Sequence, residues 1–238
     1  MQIFKGIFNA FYPNTCISCG EIIEDGEFLC DSCYEMLPEI DYTKNCNRCG
    51  MPKKECQCKS RVFYFGGTAA PFYNDTSAKS GMYKFKFSRN TRNAEFFSQR
   101  MALTVNNVFK DIKFDYITYV PLTAKKYLFR GFNQSRILAK QIGDLLCIPF
   151  ADKLLYRNKG NLNQHEIKNP KERFKNVDGL YYCKQKVTGK NILLVDDIKT
   201  TGATLNECAK QLLINGANNV YCITGLISYN RKENKNGN

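Results

Sequence analysis

Residues 192–204 read Ile-Leu-Leu-Val-Asp-Asp-Ile-Lys-Thr-Thr-Gly-Ala-Thr, so two adjacent carboxylates stand just before a turn rich in hydroxyls. When ionised, Asp196 and Asp197 only accept hydrogen bonds, which suits the hydroxyls of a sugar or a hydrated Mg²⁺. Thr200, Thr201 and Thr204 can donate to phosphate oxygens, Gly202 and Ala203 let an anion approach the backbone, and Lys199 adds a cation. The first N–H groups of a following helix would point at that anion with partial positive charge. Together these residues describe a ribose-phosphate cradle. Read locally, they would equally serve as an Asp-Asp turn whose threonines cap a helix.

Other phosphate chemistries fail on position. Gly189-Lys190 precedes a strand, is followed by Asn191 rather than Ser or Thr, and lacks a second glycine at P-loop spacing; no Gly-x-Gly-x-x-Gly occurs in the chain. His165, the only histidine, has no neighbours that make it a base or ligand and reads as a loop residue.

Of twelve cysteines, eight lie between residues 16 and 58 as Cys16-x-x-Cys19, Cys30-x-x-Cys33, Cys46-x-x-Cys49 and Cys56-x-Cys58. Two short-spaced pairs wrap one Zn²⁺ tetrahedrally with four thiolates, and the chain holds two such units. Four thiolates leave no open position, so both sites read as structural. Sequential pairing needs only local loops and is preferred over an interleaved cross-brace. Gly20 and Gly50, each following a second cysteine, fit the positive φ of a zinc knuckle. Cys147, Cys183, Cys208 and Cys222 lie singly in apolar stretches and are expected in the core.

The elements that must position these groups follow from periodicity. Ile192–Val195 is a continuous aliphatic run suited to a strand buried on both faces, and Leu205, Ala209, Leu212 and Leu213 have helical spacing. Residues 62–65 and 68–73 read as strands joined by Gly66-Gly67, residues 93–110 as a helix and 116–120 as another buried strand. A helix follows from Asn133, with Ile137, Leu138, Ile142, Leu145 and Leu146 on one face, and the strand–loop–helix alternation repeats near 154, at 191 and at 219. Such alternation predicts a parallel sheet covered on both faces, with ligands at the carboxyl edge of its strands. Three segments are expected: a helix and double zinc ribbon at 1–60, an α/β body at 61–230 and a polar tail at 231–238.

The acid pair and the turn resemble the phosphoribosyl pyrophosphate (PRPP) signature of type I phosphoribosyltransferases. Residues 121–126, Pro-Leu-Thr-Ala-Lys-Lys, with Arg130-Gly131-Phe132-Asn133-Gln134, and Arg157 through Tyr181 with Gln164, Ile167, Arg173, Asn176 and Val177, resemble the ComF family of competence-associated phosphoribosyltransferase-like proteins. With the double ribbon, the likeness covers nearly the whole chain, which is identified as a member of that family. The resemblance implies a type I phosphoribosyltransferase-like sheet binding Mg²⁺-PRPP, with Thr123, Ala124, Lys125 and Arg130 holding the pyrophosphate. Asp196, Asp197 and Arg157 would face the reacting sugar, and residues 157–176 would close over it. It also implies a role in DNA uptake beside a competence helicase, with enzymatic transfer to a nucleobase or other small acceptor as the alternative. Asn161 and Leu180-Tyr181 depart from the family pattern, and no separate hood for an acceptor is recognisable.

Lys and Arg number 35 against 22 Asp and Glu, a formal charge of +13 that favours a polyanionic partner. Basic residues at 84–92, 125–136 and 159–175 alternate with Tyr83, Phe85, Phe87, Phe129 and Phe132. That mixture suits single-stranded DNA, with Lys84, Lys86 and Lys126 as phosphate contacts, although solvated lysines over core aromatics would read the same way. No stretch approaches the roughly twenty apolar residues of a membrane helix. Ile3, Phe4, Ile7, Phe8 and Phe11 read as a short amphipathic helix docked on the body, with interfacial membrane contact as the alternative, and with no clear cleavage site after it a reducing, cytoplasmic location is expected.

Overall fold

The computed structural model describes residues 13–56, 58–87, 91–158 and 179–228. The expected amino-terminal helix, most of the 157–176 lid and the tail lie outside the described residues.

Three helices precede or follow the first two strands: α1 (Asp31–Glu35), which carries Cys33, then α2 (Ala78–Phe87) and α3 (Thr91–Val108) after β1 (Gly67–Ala69) and β2 (Phe72–Tyr73). The chain continues through β3 (Tyr116–Tyr119), α4 (Ala124–Arg130), α5 (Gln134–Leu146), β4 (Leu155–Arg157) and β5 (Tyr181–Cys183), and ends in β6 (Asn191–Lys199), α6 (Ala203–Ile214) and β7 (Asn219–Ile227). The main sheet has the order β1-β7-β6-β3, with β2 also on β7, and every pairing in it is parallel.

Alternation along the strands divides the core in two. Leu193, Val195 and Ile223 pack with Phe97, Met101 and Leu138 from α3 and α5, while Ile192, Leu194 and Cys222 pack with Leu205, Cys208 and Leu212 from α6. Successive side chains of a strand point to opposite faces, so a run with no polar residue is what a sheet covered on both sides requires. The expected parallel sheet flanked by helices, with a cysteine-rich amino-terminal unit, is the architecture found.

Several elements differ from their sequence expectation. Residues 62–65 form no strand, because the Asn206 side chain takes the place of a ladder: its Oδ1 accepts from Tyr64 N–H at 2.6 Å and its Nδ2 donates to Val62 C=O at 3.3 Å. The strand near 154 is not in the parallel sheet; β4 pairs antiparallel with β5. The outer edge of β3 is already taken, since Ile117 N–H donates to Pro149 C=O and its C=O accepts from Ala151 N–H. Cys208 and Cys222 are buried as expected, but Cys147 is exposed at the left-handed C-cap of α5 and Cys183 is only half-buried.

Both knuckles pack into this body. Cys16, Ile17 and Cys33 share a core with Met82 and Phe85 of α2, and Ser18 C=O accepts from Lys84 Nζ at 2.7 Å and from Ser80 Oγ at 2.8 Å. Cys49, wholly buried, shares the other core with Phe63, Leu205 and Ile227. Gly50 explains the closeness of that contact: its φ is +71°, and a Cβ there would stand 2.8 Å from Ile227 Cδ1 and 3.1 Å from Thr68 C=O.

Candidate phosphate cradle and zinc knuckles

Strand β6 continues through the acid pair to Lys199, so Asp196 and Asp197 belong to the strand and the turn begins at Thr200. Asp196 Oδ1 accepts from Ser135 Oγ at 2.9 Å and from Asp197 N–H at 2.8 Å. Asp197 Oδ2 meets Lys86 Nζ at 3.1 Å. Asp196 Oδ2 and Asp197 Oδ1 have no protein donor among the described residues. Desolvation, then the charge of Asp197, push the Asp196 carboxyl up to about 7, although the Asp197 N–H and Ser135 bonds and the Lys86 charge oppose the rise. These are hard oxygen donors in a setting where added positive charge is favoured, which fits an Mg²⁺-complexed ligand.

Gly202 is the N-cap of α6 in the left-handed region, φ +78°. Thr201 Oγ1 accepts from Ala203 N–H at 3.3 Å, Thr200 is exposed, and Thr201 and Thr204 are half-buried. Lys199, expected among the phosphate contacts, is 2% exposed and lies beneath the turn.

The segment 121–135 acts through its local structure. Thr123 caps α4, its Oγ1 accepting from Lys126 N–H at 3.1 Å, so half of the expected loop 121–126 is helix, with Ala124, Lys125 and Lys126 on its first turn. Gly131, φ +74°, ends α4 in the left-handed conformation that glycine adopts without Cβ strain. Asn133 caps α5, its Oδ1 accepting from Ser135 N–H, while its Nδ2 donates to Val120 C=O at 3.0 Å and so ties the loop to the end of β3. Buried Gln134 accepts from Arg130 at 3.0 Å and donates to Lys86 C=O at 3.1 Å. The sequence Arg-Gly-Phe-Asn-Gln-Ser thus fixes Arg130, the Lys86 backbone and, through Ser135, Asp196.

Four cations converge near the acid pair. Lys126 lies on an exposed turn, and its pKa is lowered, by partial desolvation first and then by the charge of Arg130; Arg157 and Lys86 add to the effect and Asp197 opposes it. Arg157 ends β4, donates to Tyr181 Oη and lies over the Tyr181 ring at 5.1 Å. Leu180 and Tyr181, the departures from the family pattern, are both buried and support this arginine. A cleft of about 1370 Å³, lined by Thr123, Ala124, Lys125, Arg136, Tyr156 and Arg157 among others, meets this group at Arg157, while the acid pair and residues 199–204 do not line it.

Sequence reasoning did not single out Ser135, and it placed Lys86 among DNA contacts. The signal for Ser135 was its position on the first turn of the helix that opens at Asn133, where a hydroxyl faces the carboxyl edge of the sheet. Of the other two lysines expected to touch DNA, Lys84 reaches Ser18 C=O and Lys126 lies in the cation group above.

The eight cysteines gather as expected by sequential pairing, into Cys16, Cys19, Cys30 and Cys33, and Cys46, Cys49, Cys56 and Cys58. Sulfurs within a group lie within 4.8 Å of one another, and Cys19–Cys30 and Cys46–Cys58 are 3.7 Å apart. Those separations are far from a disulfide bond and near the edge of about 3.8 Å expected for four sulfurs at Zn–S bond length. Gly20 and Gly50 have positive φ, 93° and 71°, as the knuckle requires. Both donor sets fit structural zinc.

A parallel α/β sheet with an acid pair and a hydroxyl-rich turn at its carboxyl edge, carrying two tetrathiol knuckles, defines an α/β protein with an amino-terminal double zinc ribbon. The double zinc ribbon domain family matches residues 7–62. The chain is related over most of its length to the ComF competence proteins, which bears out the resemblance read from its motifs. It is 26% identical over 220 residues to Competence protein F of Haemophilus influenzae, covering 85% of this chain and 92% of that one. It is 27% identical over 207 residues to Competence protein ComFC of Bacillus subtilis, 82% of each chain, and 27% over 205 residues to DNA utilization protein YhgH of Escherichia coli, 85% of each. Among solved structures, an adenine phosphoribosyltransferase aligns with 59% of this chain and 81% of its own at 18% identity, TM-score 0.37. The fold assignment rests on the strand order, since so low a score adds nothing to it.

Proposed function

We propose that the chain binds Mg²⁺-PRPP across β6, the turn 200–204 and the cations of α2, α4 and β4. The observation that carries this reading is the convergence of Lys86, Lys126, Arg130 and Arg157 on two carboxylates at the start of a phosphate-sized turn. The free carboxylate oxygens would take the ribose hydroxyls and the hydrated metal, and the first N–H groups of α6 the 5′-phosphate. Bound Mg²⁺ would neutralise the pyrophosphate. Lys125, Lys126 and Arg130 add charge on the same side, with Thr123 and Ala124 forming the wall of the cleft. If transfer occurs, positive charge grows on the sugar ring as pyrophosphate leaves, and Asp196, Asp197 and Arg157 act by orientation and electrostatics. Titration calorimetry of Mg²⁺-PRPP into the wild type and the Asp196→Asn/Asp197→Asn variant tests the site. Binding in the wild type that is lost in the variant supports the reading, and equal binding refutes it.

A role in DNA uptake accompanies this site. The similar proteins are named for competence and DNA utilization. A second observation favours single-stranded DNA as partner: Phe129 is 77% and Phe87 64% exposed, with ring centroids 6.3 Å apart, and Arg130 lies over the Phe87 ring at 5.9 Å. Paired exposed aromatics beside cations form a stacking platform for bases. A competence helicase would deliver the strand. PRPP-dependent pyrophosphate release with a nucleobase or a DNA acceptor would turn the binding protein into an enzyme of the type I class.

A further inference from the structure

Glu207 is a buried carboxylate that takes no part in the cradle. It stands on the second turn of α6, the helix that opens at the phosphate turn, and is 5% exposed. Its Oε1 accepts from Gly179 N–H at 3.1 Å and from Gln211 Nε2 at 2.9 Å, and its Oε2 lies 3.9 Å from Lys210 Nζ. A carboxylate withdrawn from water is costly unless such bonds meet it. The bond from Gly179 reaches the open end of the β4–β5 hairpin. Gly179 C=O accepts from Asn158 Nδ2 at 2.9 Å, Asn158 N–H donates to Leu180 C=O at 2.8 Å, and the next pair along is Arg157 with Tyr181. Tyr181 is the residue whose hydroxyl and ring hold the Arg157 guanidinium.

The hairpin is a ladder of three residue pairs outside the main sheet. A ladder so short is marginal by itself and takes its orientation from what it is fastened to. Leu155, Leu180 and Tyr181 share a core with Leu205, Cys208 and Leu212 of α6. Apolar contact of that kind is non-directional, whereas a hydrogen bond to Gly179 N–H fixes the hairpin's register on the helix.

We propose that Glu207 is a positioning residue for Arg157. Through Gly179 it fastens the hairpin to the helix whose N-terminus forms the phosphate turn, so that Arg157 and residues 200–204 are held at a fixed separation. One helix then carries the phosphate end of the site and sets the arginine that lines the cleft with Thr123, Ala124 and Lys125. The role toward a ligand rests on the Mg²⁺-PRPP reading; the anchor itself does not.

The test uses the zinc-loaded full-length protein and two readouts. Hydrogen exchange across residues 179–183, followed by mass spectrometry, reads the anchor. Glu207→Leu should speed that exchange by about 10-fold, the scale of a buried amide losing its acceptor, and leave β6 unchanged. Glu207→Gln keeps an acceptor oxygen of the same reach and should restore the protection. Calorimetry with Mg²⁺-PRPP reads the link to Arg157. Glu207→Leu should weaken binding about 10-fold beside an intact Arg157 and hardly at all once Arg157→Leu is present, as for two residues acting as one unit. Glu207→Gln should bind as the wild type does.

Unchanged exchange in Glu207→Leu overturns the anchor. A loss of affinity that is equal with and without Arg157, no loss at all, or no rescue by Glu207→Gln overturns the link. Should Glu207→Leu fail to fold, Asn158→Ala takes its place, since it removes the bond to Gly179 C=O at an exposed position. The same faster exchange and the same dependence on Arg157 are expected of it, and their absence overturns the proposal. A wild type that binds no PRPP refutes the proposed function, while the exchange measurement still decides the anchor.

Discussion

Lys86 Nζ stands 3.1 Å from Asp197 Oδ2, with only 15% and 14% of the two side chains exposed. A cation so placed is committed to the acid pair, whereas a phosphate contact on a DNA surface would face solvent. Lys86→Met should therefore weaken Mg²⁺-PRPP binding by about 2 kcal/mol, the scale of a hydrogen bond to a charged group. Affinity for single-stranded DNA should change little. Calorimetry and fluorescence anisotropy on the same preparation separate the two ligands, and loss of DNA binding with PRPP binding intact would return Lys86 to the DNA surface.

Asp196 gives the site a pH dependence of known sign. Its folded pKa, about 7, lies above the ordinary carboxyl value of 3.8, so the folded protein holds this proton where the unfolded chain has lost it. Stability from this group is complete below pH 4 and declines as pH rises through 7. On the proposed reading Mg²⁺-PRPP binds the ionised pair, so its binding should strengthen between pH 6 and 8 and release up to one proton. Calorimetry in buffers of different ionisation enthalpy counts that proton, and Asp196→Asn should abolish it. A proton count unaltered by the substitution would remove Asp196 from the linkage.

Gly202 ends β6's turn at φ +78°, and a side chain there would also meet Lys199 Cε at 3.2 Å. Gly202→Ala should cost about 1–2 kcal/mol of stability from the left-handed backbone alone. The first N–H groups of α6 would shift with it, so PRPP affinity should fall as well. Thermal unfolding with and without Mg²⁺-PRPP reads both effects, and a variant with unchanged melting temperature and unchanged ligand-induced shift would show that the turn tolerates a methyl group.

What was legible in the chain was what short-range rules govern. Ile192–Val195 could only be a strand buried on both faces, and the eight cysteines could be grouped by spacing because a tetrahedral site is closed by local loops. The acid pair and its turn stood in one continuous segment and were readable as a candidate site. What stayed hidden depended on partners distant in sequence. Val62–Phe65 has the composition of a strand, yet Asn206, more than 140 positions away, takes its hydrogen bonds. Leu155–Arg157 was readable as extended but not as antiparallel, because Pro149 and Ala151 occupy the β3 edge first. Lys86 read as a DNA contact and Lys199 as a phosphate contact; only the fold shows one against Asp197 and the other beneath Gly202.

The exposed pair Phe87 and Phe129 provides the test of the DNA reading, and Phe129 is the one of the two that leaves the cradle alone. The rings sit on α2 and α4, at right angles to each other, and neither is in the buried core. Stacking of a base on such a surface contributes about 1–3 kcal/mol and is indifferent to sequence. Phe129→Ala and Phe87→Ala should each weaken oligothymidine binding by that amount, and the pair should be less than additive because the rings touch. Added salt should weaken binding of every variant with a similar slope, since the substitutions remove no phosphate contact. PRPP affinity should be unchanged in Phe129→Ala, whose ring meets neither the acid pair nor the turn, whereas Phe87 also carries Arg130. Oligothymidine affinity that survives both substitutions would exclude this face as the strand's path.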